Sequence, residues 1–459
     1  MDSHAEGIKL VTLGQKKRQI ALIAGLLAAV VALALLWSRI PWEWSTIDDP
    51  GFPLLLQDLT EQGSLAGLPI SVFLEMLAID LDWGLFRPSY WLYPLTYLLP
   101  VSWMHVLRLV MLVVAIAGPL VALRKQRSAS WSTVIAAGAL VVLASTALTR
   151  GLFFLSLQEL SGAAFVGLGL MTSRRGVRTT MWLVAAWFKI PFAWLLIGHA
   201  LVLWRSGAKK AAVVNGILGL GSLGVAAVFS LNGNYTTRYL RPTIWGNIDA
   251  IFNNIQQLFG VLGGLLMFGT LWWLLLSATR LRPSRTAIAV GIGFVGYTLH
   301  MSLWEMSGYY FGPILYLAGA FIALALTNPQ LPIWPRIMVG WTSLWMIAVI
   351  PFGGSVLQGI ETNQVIRDIR QCVQQYPDKT WMMTGQYLNV FTDEGALRIM
   401  QSAQLKDPEW TGTATYVPNA TETNAADFDF VIVGPGVDPS TLGIGRTVCQ
   451  GQLISIVEA

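Results

Sequence analysis

The sequence predicts a polytopic α-helical membrane protein of about eleven spans with a small α+β domain at its C-terminal end. Three observations carry that prediction. Of 459 residues, 54% are hydrophobic and only 12% are charged, about half the charge of an ordinary soluble domain. Apolar runs of about 20 residues recur along the chain, each long enough to cross a hydrocarbon core of about 30 Å. From residue 353 onward the composition turns polar, and both cysteines, Cys372 and Cys449, lie there.

The first run, "IALIAGLLAAVVALALLW", follows Lys16, Lys17 and Arg18. Trp37, Ser38, Arg39 and Trp42 come after it where a signal peptide would have small residues, so it reads as an uncleaved span with a cytoplasmic N-terminus. Basic stretches at 124–127, 173–178, 204–210, 279–285 and 329–336 predict cytoplasmic loops. The remaining spans then fall near 102–123, 131–148, 152–172, 211–230, 257–279, 286–304, 308–327 and 336–352, with a short pair at 179–188 and 190–204. An odd count places 353–459 outside the cytoplasmic (inner) membrane. There Cys372 and Cys449 would form one disulfide; two unrelated buried thiols are the alternative. The net charge of +5 sits in the short loops, and no nucleic-acid-binding pattern occurs.

Within the expected transmembrane domain, 1–352, the first external loop, 38–101, is too long for a mere connector. Its stretches "FPLLLQDLTEQG", "ISVFLEMLAIDL" and "SYWLYPLTYLL" each carry a one-sided apolar stripe, which predicts short helices in the membrane surface. Asp48 and Asp49 come just before the first. Adjacent acids beside a span are costly unless they face water or a polar cavity. As a structural device, Asp49 would cap a helix that has Pro50 at its first position.

The order Trp44, Asp48, Asp49, Phe52, then Glu61 and Gly63, then Arg87, Pro88, Tyr90 and Trp91 resembles the first external loop of GT-C glycosyltransferases. It looks most like the aminoarabinose and protein O-mannosyl branches. "SGYYFGPILYLAGAF" is similar to the aromatic-proline signature that opens a late span there. The resemblance implies transfer of a monosaccharide from a polyprenyl-phosphate carrier to a lipid-linked or surface glycan. Asp48 would be the catalytic acid, Asp49 its partner and Arg87 the donor-phosphate ligand. Phe52, Tyr309 and Tyr310 would line the substrate cavity. Serotype-converting O-antigen transferases, which modify lipopolysaccharide, share the long early loop and external C-terminal domain.

Elementary chemistry asks for the same groups. An ionised carboxylate can take the acceptor proton, cations stabilise the departing phosphate, and a guanidinium offers two parallel charge-assisted bonds. A single displacement would invert the anomeric carbon. Gln158 and Glu159 lie in a span and would face the substrate cavity, or pair with Arg150 or Arg108. Lys189, Arg238 and Arg241 are further phosphate ligands or, alternatively, snorkelling and solvated charges. Asp80 and Asp82 form a D-x-D, a spacing that holds a divalent metal in soluble nucleotide-sugar enzymes and also arises by chance. No other cofactor is implied. His105, His199 and His300 share no ligand spacing, and Gly434 and Gly436 read as a turn. A glycan polymerase or ligase would carry its large loop late in the chain. A transporter would show internal repeats and charges at mid-membrane.

Overall fold

The structure, a computed structural model, describes residues 51–62, 66–125, most of 137–153, 158–233, 285–302, 311–326 and most of 364–458. All belong to one unit, Glu43–Ala459. Two helices open it, α1 (Gly51–Gln62) and α2 (Leu68–Trp83). Helix α2 buries Leu68, Val72, Met76 and Asp80, a four-residue repeat that keeps one face inward. It ends at Gly84, whose φ of 73° lets Leu85 donate to the Asp80 carbonyl at 2.7 Å, as left-handed helix caps do. The third predicted helix is instead two 3₁₀ turns, Pro88–Tyr90 and Tyr93–Leu98. Pro88, Pro94 and Pro100 lack the amide hydrogens that a longer helix needs. Tyr90, Tyr93 and Tyr97 fold onto α1 and α2 in one buried cluster.

Behind this cap stand α3 (Val101–Arg124), α4 (Glu159–Met171), α5 (Arg175–Phe188), α6 (Ala193–Arg205) and α7 (Lys209–Asn232). Helices α8 (Arg285–Ser302) and α9 (Phe311–Leu326) complete the helical part. Close approach of α3 and α4 depends on glycine. A Cβ on Gly118 would collide with the Gly167 backbone, and one on Gly167 would lie 2.5 Å from the Val114 carbonyl oxygen. Gly167→Ala should therefore destabilise the helical part by about 1–3 kcal/mol, seen as a lower unfolding midpoint. An unchanged midpoint would mean the helices can part freely.

The eleven-span reading is overturned. Among the described residues only α3 and α7 are long and apolar enough to cross a membrane. The apolar stretches at 159–171, 190–205 and 312–325 form shorter helices. Helix α4 has 13 residues, about 20 Å at 1.5 Å per residue, well short of a bilayer core. Ten of them are buried in protein. Hydropathy alone does not distinguish apolar residues that face lipid from those that face other helices. The expected spans at 19–37, 257–279 and 336–352 lie outside the described residues, as does most of 131–148. Helices α3 and α7 differ from buried core helices. Ile217, Leu220 and Leu231 on α7 are 62–79% exposed, and Trp103 and Val110 on α3 also face outward.

The C-terminal segment forms a five-stranded sheet of order β2-β1-β3-β5-β4, from β1 (Thr380–Thr384), β2 (Thr413–Tyr416), β3 (Phe430–Val433), β4 (Thr447–Gln450) and β5 (Ser455–Glu458). Strands β1–β3 are parallel, and β5 runs antiparallel to both β3 and β4. Helix α10 (Asp393–Lys406) follows β1. Trp381, Phe430 and Ile456 join Val365 and Ile369 in its core. A disulfide joins Cys372 to Cys449 on the edge strand β4, with Cα atoms 6.2 Å apart.

At the start of β3, the Asp429 carboxylate accepts from the Thr380 amide (2.8 Å) and hydroxyl (2.9 Å). The amide bond is the main cause holding its pKa below the usual carboxylate range, with the hydroxyl and Lys379 adding to it. A depressed folded pKa gives stability that is present above the unfolded value and lost as pH falls through the folded one. The wild type should lose thermal stability below about pH 4, and Asp429→Asn should flatten that acid limb slightly. Coincident melting curves across the acid range would refute the pairing.

Candidate functional site

The site begins with a carboxylate that has nowhere to go but a cation. Asp80 is fully buried in the last turn of α2, where the negative end of the helix dipole disfavours it. The chain reverses at Gly84 and returns Arg87. Its Nε donates to both Asp80 oxygens, at 3.1 and 3.3 Å, and its Nη2 donates to Oδ1 as well. Trp91 Nε1 donates to Oδ2 at 2.8 Å. The guanidinium also lies 4.9 Å from the centre of the Tyr90 ring. With the Gln158 amide oriented so that its nitrogen donates to the Phe188 carbonyl at 2.9 Å, its oxygen accepts from Arg87 Nη1.

Next along the chain, Glu159 opens α4, where a carboxylate is favoured by the positive helix end. Its Oε1 meets Lys189 Nζ at 2.8 Å. Lys189 is extended (φ −144°, ψ 107°) between α5 and a 3₁₀ turn, Ile190–Phe192. Pro191 prevents α5 from running straight through. Glu159 is 6% exposed, and among the described residues its Oε2 has no hydrogen-bond partner, an arrangement that costs about 1–3 kcal/mol or more for a charged group.

A third cation is Arg108, which the sequence offered as an alternative partner for Glu159. Arg108 on α3 is fully buried, donates from Nη1 to Ser161 at 2.7 Å, and lies 5.5 Å from the Tyr93 ring centre. Tyr93 and Tyr90 stack at 5.1 Å, so the two guanidiniums flank one aromatic pair. Phe52 of α1 packs on this group, 5.9 Å from Tyr90 and 5.1 Å from Tyr97.

No protein-family model, curated protein or solved structure matches the chain. Three cations and two carboxylates converge beneath the first-loop helices, an arrangement suited to binding an anion beside a polar neutral group.

Of the residues singled out from sequence, Phe52, Asp80, Arg87, Gln158, Glu159 and Lys189 are brought into this one neighbourhood. Asp48, Asp49, Arg238, Arg241, Tyr309 and Tyr310 lie outside the described residues. Glu159 pairs with Lys189, whereas Arg108 bonds Ser161. The two aspartates of the D-x-D point apart. Two positions apart on a helix means about 200° around its axis; Asp80 turns inward to Arg87 while Asp82 is exposed. Among the described residues no cluster of three His, Cys, Asp or Glu is placed to hold a metal.

Proposed function

We propose that this chain is a glycosyltransferase that moves a monosaccharide from a polyprenyl-phosphate carrier to a lipid-linked or surface glycan, at the outer face of the cytoplasmic membrane. The observation that carries this reading is Arg87, held by the buried Asp80 and braced on Tyr90. A guanidinium fixed in this way is organised before the reaction, so it stabilises a departing phosphate without a reorganisation cost. Exposed apolar faces on α3 and α7 supply a surface for lipid and for a prenyl chain. Asp48 takes the acceptor proton as the new glycosidic bond forms, and Asp49 assists; the anomeric carbon inverts while the polyprenyl phosphate leaves.

The test is sugar transfer by membranes holding equal amounts of each protein, with a panel of radiolabelled polyprenyl-phosphate sugars. Asp48→Asn should lose at least about 100-fold of the rate. Arg87→Gln should lose a similar factor, with Arg87→Lys partly active because it keeps the charge. Wild-type transfer that survives both Asp48→Asn and Arg87→Gln would remove this assignment.

One observation favours a transporter instead: the helical path is broken at Lys189, beside the buried Glu159, as in carriers with discontinuous helices. Sugar-lipid movement across reconstituted vesicles without any glycosyl transfer would select that reading.

A further inference from the structure

Glu159 and Tyr297 hold two buried polar atoms that no group among the described residues satisfies. Glu159 Oε2 has no hydrogen-bond partner although Oε1 is paired with Lys189 at 2.8 Å, and the hydroxyl of Tyr297, itself fully buried, has none either. Native interiors rarely leave such atoms unsatisfied unless something else completes them.

The two groups are linked through packing. Glu159 and Gly162 share a face of α4, one turn apart. Phe192 fills the space that a side chain at Gly162 would need; a Cβ there would lie 2.5 Å from its ring. Tyr297 packs edge-on against Phe192, ring centres 4.9 Å apart, and lies within electrostatic range of the Glu159 carboxylate. Helix α8 thus places a phenol against Phe192, the ring that packs on α4 one turn from Glu159.

A ligand completing this pair must donate a hydroxyl to the carboxylate oxygen and exchange a hydrogen bond with the phenol. The phosphodiester of a polyprenyl-phosphate sugar has no proton to donate, and Glu159 repels its charge. A neutral polyhydroxyl ring can do both. We propose that Glu159 and Tyr297 form a hydroxyl-reading subsite for a neutral hexopyranose, with Lys189 positioning Glu159 rather than binding phosphate. The proposal rests on the glycosyltransferase reading only for the origin of the sugar: phosphate at Arg87, the sugar ring at Glu159.

The test uses the purified full chain in nanodiscs. Saturation-transfer NMR is run with methyl gluco-, galacto- and mannopyranosides, and bare polyprenyl phosphate is titrated separately. At least one glycoside should bind the wild type. Tyr297→Phe, which removes a single oxygen, should weaken it by about tenfold, the factor that follows from losing 1.4 kcal/mol. Glu159→Gln should do the same, and Tyr297→Phe should leave binding of bare polyprenyl phosphate unchanged. Glycoside binding that both variants retain would overturn the subsite while leaving the transferase reading standing. Glycoside binding that depends on both residues, with no sugar transfer in membranes, would keep the subsite and discard the transferase. Failure of all three glycosides to bind the wild type would overturn the subsite outright. Should Glu159→Gln lower the unfolding midpoint by releasing Lys189, Tyr297→Phe alone decides.

Discussion

Asp80→Ala should destabilise the protein by about 3–5 kcal/mol, the usual consequence of removing one partner from a buried ion pair. The loss should be this large because Asp80 is fully buried and serves two donors, Arg87 and Trp91. Its removal strands a guanidinium in a setting poor in water. Denaturant unfolding in detergent would show a lower midpoint at unchanged slope. Asp80→Asn keeps an acceptor for Trp91 but not the charge, so its midpoint should fall between the other two. Replacing both partners by apolar residues, Asp80→Leu with Arg87→Met, should recover much of the loss, because two desolvated charges disappear together. An Asp80→Ala protein within about 1 kcal/mol of wild type would show that the pair is not isolated from solvent.

Loss of the disulfide should be nearly as costly, but confined to the sheet. Cys372 and Cys449 are 77 positions apart, and closing a loop of that length restricts the unfolded chain by up to about 4.5 kcal/mol. Strand β4 lies at the sheet edge and pairs only with β5, so few other bonds compensate. Cys449→Ser should match wild type treated with reductant, and limited proteolysis should then cut first within 440–459. A wild type whose midpoint is indifferent to reductant would show that the crosslink adds nothing beyond the packing around it.

Some of this was legible in the sequence. The apolar cores "WMM" and "FVIV" announced β1 and β3 because their residues are buried on both sides, as in parallel sheets. Strands β2 and β4, "TATY" and "TVCQ", were missed. They are edges, half exposed, and their mixed polarity carries no run to notice. In the site, an arginine followed by proline and an acid inside an apolar run were each unusual enough to single out Arg87 and Glu159, although Glu159 proves to open its helix rather than lie two turns within it. The partner of Arg87 was not. Asp80 looked like half of a D-x-D because the left-handed turn at Gly84, which sends Arg87 back to it, is a property of three-dimensional path. The span count failed for a related reason: a helix such as α4, buried by its neighbours, has the same composition as one buried by lipid.

The clasp at the end of α2 has a bearing on how the protein is made. Gly84 and Gly233 meet backbone to backbone, 2.8 Å from where a Cβ on Gly84 would sit to the Gly233 Cα, and the Ser230 hydroxyl donates to the Gly84 carbonyl at 3.1 Å. The Asp80–Arg87 hook is thus local in sequence but seated on a helix translated far later. A ribosome that has delivered Arg87 still has well over a hundred codons to read before that seat exists. At about 5–20 residues per second, the nascent chain spends several seconds or more with the Asp80–Arg87 hook still unsupported.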